Sequence, residues 1–281
     1  MIRTIEEVEQ LVDDTVAIPP MPQVLAEVDA LLDAPDTTPA DAAAVLGADP
    51  DLAAAALRLL RGPVHQTQHA PKSLEAACAM LTPRALRNLV VQAEVLASFP
   101  PEPRRSAFDT AWLWDHAVKT AVACSLLASY SQVADGLARE DAATCGLIHD
   151  VGKLVLIDSQ PDLFREALKR SEAEKVPIAR GEADVFGFHH AHVGGLLARR
   201  WNLPLAVQAA VLHHHCPPQD REGFARGLLV RAANTYAHLA AGQKGGGYRG
   251  DPLPENEFET LGLRPEEHTQ IVLTTAGAAL V

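Results

Sequence analysis

The stretch GLIHDVGKLVL (residues 146–156) decides how the rest of the chain is read. An imidazole and a carboxylate stand side by side at His149 and Asp150, inside an otherwise apolar run. They supply one nitrogen and one oxygen donor, a pair that suits a borderline or hard divalent cation. A buried carboxylate is costly unless it is paired or coordinated. Gly152 permits a close turn, and Lys153 is a point charge able to meet a phosphate. A bare His-Asp pair also has a plainer explanation: a helix end, with Asp150 in solvent and Gly152 as the stop. The neighbouring clusters have to choose between the two.

The chain has 12 histidines, none before His65, and nine of them fall from His116 to His238. In AWLWDHAVKTAVACSLL (111–127), Trp112, His116, Thr120 and Cys124 recur every four residues and share one helical face. Alone, His116 there reads as an ordinary hydrogen-bonded core histidine. In FGFHHAHVGGLLARRWNLP (186–204), His190 and Gly194 are one turn apart, so a second helix can approach beside the imidazole. VLHHHCPP (211–218) puts His213, His214 and His215 at a helix end. Each cluster is weak by itself, and four of them on four predicted helices form a pattern. Adjacent histidines are costly to bury unless each finds a donor or acceptor.

The 281 residues are 48% hydrophobic and only 5% aromatic, with abundant alanine and leucine, which favours helices over strands. Helices are predicted near 1–17, 24–34, 40–47, 50–60, 73–80, 83–98, 107–131, 140–152, 161–174, 190–200, 204–214, 221–241 and 265–280. The run IPPMP (18–22) ends the first, and Thr38 before Pro39 is a candidate N-cap. FPPEPRRS (99–106) is the clearest break, dividing an N-terminal helical part (1–105) from a histidine-bearing part (106–281). The Gly- and Pro-rich stretch 242–257 is predicted as an exposed mobile loop.

The formal net charge of -12 works against phosphate backbones, so nucleic acid is an unfavoured partner. Arg84, Arg87, Arg104 and Arg105 are candidates for a local basic patch, against the ordinary reading of solvated arginines. Cys78, Cys124, Cys145 and Cys216 form no CxxC pair and read as free thiols, three of them buried. No apolar leader opens the sequence, and the apolar tract from Ile271 to Val281 is shorter than the roughly 20 residues of a bilayer span. A cytoplasmic location without membrane contact is expected. His65 and His69, in GPVHQTQHAPKS, read as solvated loop histidines.

The order and spacing of these segments resemble the HDOD family, a non-standard branch of the HD metal-dependent phosphohydrolase superfamily related to the HD-GYP phosphodiesterases. The resemblance runs over about residues 18 to 240, through IPPMPQVLAEV (18–28), GADPDLAAAALRLL (47–60), the His116 helix, GLIHDVGKLVL, FGFHHAHVGGLLARRWNLP and AVLHHHCP (210–217). It implies an all-α, two-part helical bundle. It implies metal ligation by His116, His149 and Asp150, with His190, His214 and His215 at the positions of a second metal. Lys153 matches the lysine that meets substrate phosphate, a catalytic residue only if the chain is active. The implied cofactor is a divalent metal: Fe, Mn, Zn, Ni or Mg.

The departures from the pattern are specific. In LLVRAANTYAH (228–238), Asn234 stands where the last acidic ligand is expected, and a neutral amide is the poorer ligand. No GYP run follows His214-His215. Arg61-Gly62 replaces the usual Asn-Ser, and Leu81-Thr82 replaces Leu-Gly. The resemblance therefore implies a signalling or regulatory module with a degenerate HD pocket, leaning away from catalysis. Its partners would be other signalling proteins or a bound nucleotide. Two alternatives stay open: a working metal-dependent phosphohydrolase or phosphodiesterase, and a scaffold whose histidines only pack.

Overall fold

Prolines and capping side chains set where the first helices begin. The structure, a computed structural model, describes residues 5–34, 36–65, 71–101, 110–134, 137–215, 221–241 and 253–279. Helix α1 (Ile5–Thr15) ends ahead of the 18–22 proline run, and α2 (Gln23–Asp33) starts directly behind Pro22, its N-cap. At α3 (Pro39–Gly47), the Thr38 hydroxyl accepts from Asp41 N–H while Asp41 accepts from Thr38 N–H at 2.9 Å. Such a reciprocal cap stabilises a helix start by about 1 kcal/mol. Asp49 caps α4 (Pro50–Arg61), and Ser73 caps α5 (Leu74–Met80). Thr82 caps α6 (Pro83–Ser98) by accepting from Ala85 N–H. The threonine that departs from the family's Leu-Gly thus serves a helix start.

Helix α7 (Ala111–Tyr130) is apolar nearly all round, with Leu113, Val118, Ala121, Val122 and Leu127 buried, and so it lies centrally. Helix α8 (Arg139–Ile148) runs against it. They come close because Gly146 has no side chain: a Cβ there would sit 2.7 Å from the Thr120 carbonyl oxygen. The single helix predicted over 140–152 is in fact broken. The chain turns at His149-Asp150 and restarts as α9 (Val151–Ser159), so the His-Asp pair occupies an elbow.

Beyond it come α10 (Pro161–Glu174), α11 (Ile178–Phe186), α12 (His190–Arg200), α13 (Leu205–His213), α14 (Arg221–Ala241), α15 (Glu255–Thr260) and α16 (Pro265–Ala276). Helix α11 was not predicted, because Pro177 before it and the left-handed Gly187 (φ 82°) after it are both loop signals. Helix α15 was not predicted either. Its first residues, 255–257, fall in the stretch read as a mobile loop; residues 242–252 of that stretch lie outside the described residues. Gly152 is neither turn nor stop. It lies inside α9, where a Cβ would fall 2.0 Å from the His190 carbonyl oxygen and 2.8 Å from Gly194 N, so α9 and α12 meet backbone to backbone.

One hydrophobic core runs from Val12 and Leu59 through Trp114, Leu147 and Phe164 to Val211, Tyr236 and Ile271. Of the break at 99–106, residues 102–106 lie outside the described residues, and Trp114 Nε1 donates to the Phe99 carbonyl at 2.8 Å. The N-terminal segment is tied across to the histidine-bearing part. Gln160 donates to Thr15 O at 2.7 Å, Arg199 pairs with Glu9 at 2.6 Å, and Trp201 Nε1 donates to Pro19 O at 3.1 Å. Cys78, Cys124 and Cys145 are buried free thiols, while Cys216 is outside the described residues. Among the described residues no helix is long and apolar enough to cross a membrane.

Gly152→Ala is expected to destabilise by about 3 kcal/mol, because the obstacles are backbone atoms that cannot swing aside. Gly47→Ala is the control, its Cβ meeting only the Leu74 side chain at 3.7 Å. Urea denaturation of both variants checks this. Equal midpoints would contradict the α9–α12 contact.

Candidate metal centre

The donors of the site are placed by helix ends. His149 is the C-cap of α8 and His214 the C-cap of α13. The last carbonyls of a helix have no intrahelical partner. His149 Nδ1 lies 2.8 Å from Gly146 O, and His214 Nδ1 lies 2.8 Å from Val211 O. A carbonyl oxygen can only accept, so each Nδ1 carries a hydrogen and each ring turns its Nε2 inward. His190 opens α12. Its Nδ1 is 2.6 Å from Glu182 Oε2, which also accepts from the His190 backbone N–H at 2.8 Å. Glu182 comes from α11 and is fully buried. It satisfies the first N–H of α12 and orients the ring, so His190 Nε2 also faces inward.

These nitrogens converge on Asp150. Oδ2 lies 3.3 Å from His149 Nε2 and 3.8 Å from His116 Nε2. Oδ1 lies 3.1 Å from His190 Nε2 and 3.6 Å from His214 Nε2. His190 Nε2 is in turn 3.3 Å from His214 Nε2 and 2.8 Å from His215 Nε2. The carboxylate thus faces two donor groups able to hold a metal ion, His116–His149–Asp150 and His190–His214–His215. All six residues singled out from the sequence are brought together. Lys153 joins them, with Nζ 2.6 Å from Asp150 Oδ2. The exposed helix-end reading fails, since Asp150 is 5% exposed and His149 is 0%.

Charge and hydrogen bonding are incompletely matched. The carboxylates of Asp150 and Glu182 are buried with Lys153. Among the described residues, His149 Nε2, Asp150 Oδ1 and Glu182 Oε1 have no hydrogen-bond partner. Burial would raise the Asp150 carboxyl, but His149 and Lys153 outweigh it and hold the group well below the usual range. Burial, then neighbouring imidazoles, push His116, His214 and His215 well below 6.5. For His190, burial is overcome by the Glu182 charge, and its pKa is raised.

Asn234 on α14 is buried, and its Oδ1 has no donor among the described residues. One turn further along the same helix, His238 packs on His116 with ring centroids 4.6 Å apart. His238 was not singled out from the sequence, although its spacing of four from Asn234 was a usable signal. Glu182 was missed too, because nothing in IARGEADVF separates a buried glutamate from a solvated one. On the outer side of the pocket, the His189 ring lies tilted against His192 at 4.0 Å and approaches His215 at 5.4 Å.

His65 is a correction. It is not solvated, because Nε2 lies 2.9 Å from Gln92 Oε1, and Gln92 donates to Thr144 at 2.7 Å. Burial lowers its pKa. His69 lies outside the described residues. Of the basic-patch candidates, Arg87 pairs with Asp29 at 2.6 Å and Arg84 with Asp141 at 3.7 Å; Arg104 and Arg105 lie outside the described residues.

The HDOD domain family model matches residues 18–217. A protein of Treponema pallidum (strain Nichols), itself uncharacterized, is 25% identical over 210 residues, 74% of this chain. The chain spans 39% of that relative's length. A solved HDOD domain protein of unknown function from Geobacter sulfurreducens has TM-score 0.70 at 21% identity, covering 99% of this chain and 91% of that one. A presumptive phosphohydrolase from Shewanella amazonensis SB2B has TM-score 0.65 at 24% identity, covering 95% and 87%. A presumptive signal transduction protein from Marinobacter aquaeolei VT8 has TM-score 0.68 at 20% identity, covering 98% and 59%. At these identities the likeness is one of fold.

The depressed histidines make the metal-stripped protein sensitive to acid. A histidine whose folded pKa lies below 6.5 takes its proton only in the unfolded chain as pH falls through that value, so stability drops. His190 acts in the opposite sense, and the three lowered groups outnumber it. Asp150, held low, adds a further loss only below its ordinary value of 3.8. The thermal midpoint in the presence of chelator is expected to fall steadily from about pH 7.5 to about pH 5. Calorimetry across that range checks it; a flat or rising midpoint contradicts the buried, neutral cluster.

Proposed function

The chain belongs to the HDOD domain family, and from that membership we propose that it is a regulatory module whose buried histidine–aspartate pocket holds a divalent cation without turning over a phosphate ester. The observation that carries this is the convergence of imidazole Nε2 atoms on one buried carboxylate. Three of those atoms are turned inward by outer hydrogen bonds. His190 and His214 meet Nε2 to Nε2 at 3.3 Å, a pair that needs a proton or a cation between them. The nitrogen-rich set suits Zn, Ni, Fe or Mn better than Mg, which prefers an oxygen shell. His116, His149 and Asp150 would hold one ion, and His190, His214 and His215 another. A bound divalent cation would offset buried negative charge and supply a Lewis-acid centre.

Three features favour regulation over hydrolysis. By the family resemblance, Asn234 falls where the last acidic ligand is expected. Lys153, the candidate for substrate phosphate, is buried and spends its charge on Asp150. His149, His190 and His214 are fully buried and Asp150 is 5% exposed, which favours a closed pocket over a substrate cleft. The same facts favour a protein partner over a nucleotide held by Lys153. The competing reading, a metal-dependent phosphohydrolase or phosphodiesterase, is supported by the retention of His116, His149, Asp150 and Lys153 in one cluster.

Elemental analysis of protein purified without added metal, paired with a generic phosphodiester assay, separates these readings. At least one divalent ion per chain is expected, absent from Asp150→Ala, with no hydrolysis. Bound metal together with turnover that disappears in His149→Ala establishes the enzyme instead. Failure of the wild-type chain to retain or take up Mn, Zn or Ni ions sinks the cation pocket.

A further inference from the structure

Three of the inward-facing histidines are held from behind, and the three supports differ in charge. Those of His149 and His214 are neutral carbonyls, each three residues back on the ring's own helix. This works because both residues end a helix, where carbonyls are left over. His190 begins a helix instead, so no carbonyl of α12 lies behind it. Its support comes from another helix, as the Glu182 carboxylate on α11. Glu182 is fully buried, Oε2 takes both the ring Nδ1–H and the backbone N–H, and Oε1 has no donor among the described residues. An anionic acceptor behind an imidazole strengthens the donor nitrogen on the far side, which a backbone carbonyl does far less.

We propose that Glu182 is the positioning residue of the His190–His214–His215 half of the pocket: it locks His190 with Nε2 inward and tunes how tightly that half holds a divalent cation. The proposal rests on the cation-binding reading above and deepens it. Glu182 acts through His190 alone, on the ring edge away from Asp150. The His116–His149–Asp150 half has its own support through Gly146 O, and it meets His190 only through Asp150 Oδ1 at 3.1 Å. The pocket therefore has two unequal halves, joined by Asp150 and separately adjustable.

The test is a competition titration of the metal-stripped full chain with Zn²⁺ or Ni²⁺ against a chromophoric chelator, comparing wild type with Glu182→Gln. The glutamine keeps an acceptor oxygen and removes the charge. One binding step is expected to weaken about 10- to 100-fold while the other is unchanged, with the thermal midpoint of the stripped protein retained. Equal affinity in wild type and variant overturns the role of Glu182 and leaves the cation pocket standing. Equal weakening of both steps reduces Glu182 to a general structural residue and also overturns it. A wild-type chain that binds neither ion removes the cation reading and this inference together. Should the variant fail to fold, side-chain nitrogen NMR of the wild type reads the tautomer directly. A hydrogen on His190 Nδ1 in the cation-loaded protein supports the assignment, and a bare Nδ1 overturns it.

Discussion

Burial of the Asp150 carboxylate is the constraint around which the histidine-bearing half is arranged. Removing a carboxylate from water costs several kcal/mol unless nearby groups compensate. Lys153 and the imidazoles of His116, His149, His190 and His214 surround it, delivered by α7, the α8–α9 elbow, α12 and the end of α13. Two of those helices, α8 and α13, point their C-termini at the site. A helix C-terminus carries partial negative charge, so both dipoles oppose the carboxylate and draw positive charge in. The N-termini of α9 and α12 open at the same place, so the carboxylate meets helix ends of both signs.

Local chemistry was legible in the sequence wherever a residue acts on its near neighbours. Thr38 and Pro39 mark a helix start through contacts three residues long, and the structure has that cap. The four histidine clusters were legible as clusters, and His190 with Gly194 correctly announced a close helix approach. Errors came where meaning depends on a distant partner. The apolar spacing of 140–156 is continuous, so nothing local reveals the elbow at His149-Asp150. Gly152 reads as a stop until the His190 carbonyl is placed against it. His65 reads as solvated until Gln92, 27 residues away, is beside it. Glu182 looks like any surface glutamate, because its partner lies on the next helix.

The described residues of the N-terminal part, which supply no donor to the pocket, are bound to it by polar contacts as well as by the core. His65, Gln92 and Thr144 form a chain of hydrogen bonds ending on α8, whose last turn leads to His149. Asn88 donates to Asp141 at the start of the same helix. On the opposite flank, α1 and the segment behind it grip α12 through Glu9, Pro19 and the Arg199 and Trp201 side chains. Helices α8 and α12 are the two that carry His149 and His190. The N-terminal part therefore touches the pocket's framework from two sides.

The helix-end histidines bear on how the pocket accommodates change. His149 and His214 cap their helices through Nδ1, using the edge of the ring that faces away from Asp150. Those bonds hold whether the inner edge meets a proton, a metal or another imidazole. The cage is therefore preorganised: its shape is set by the scaffold and not by its contents, and little reorganisation energy attends an exchange of occupant. Helix ends held in this way keep their geometry whatever the inner edge of each ring meets.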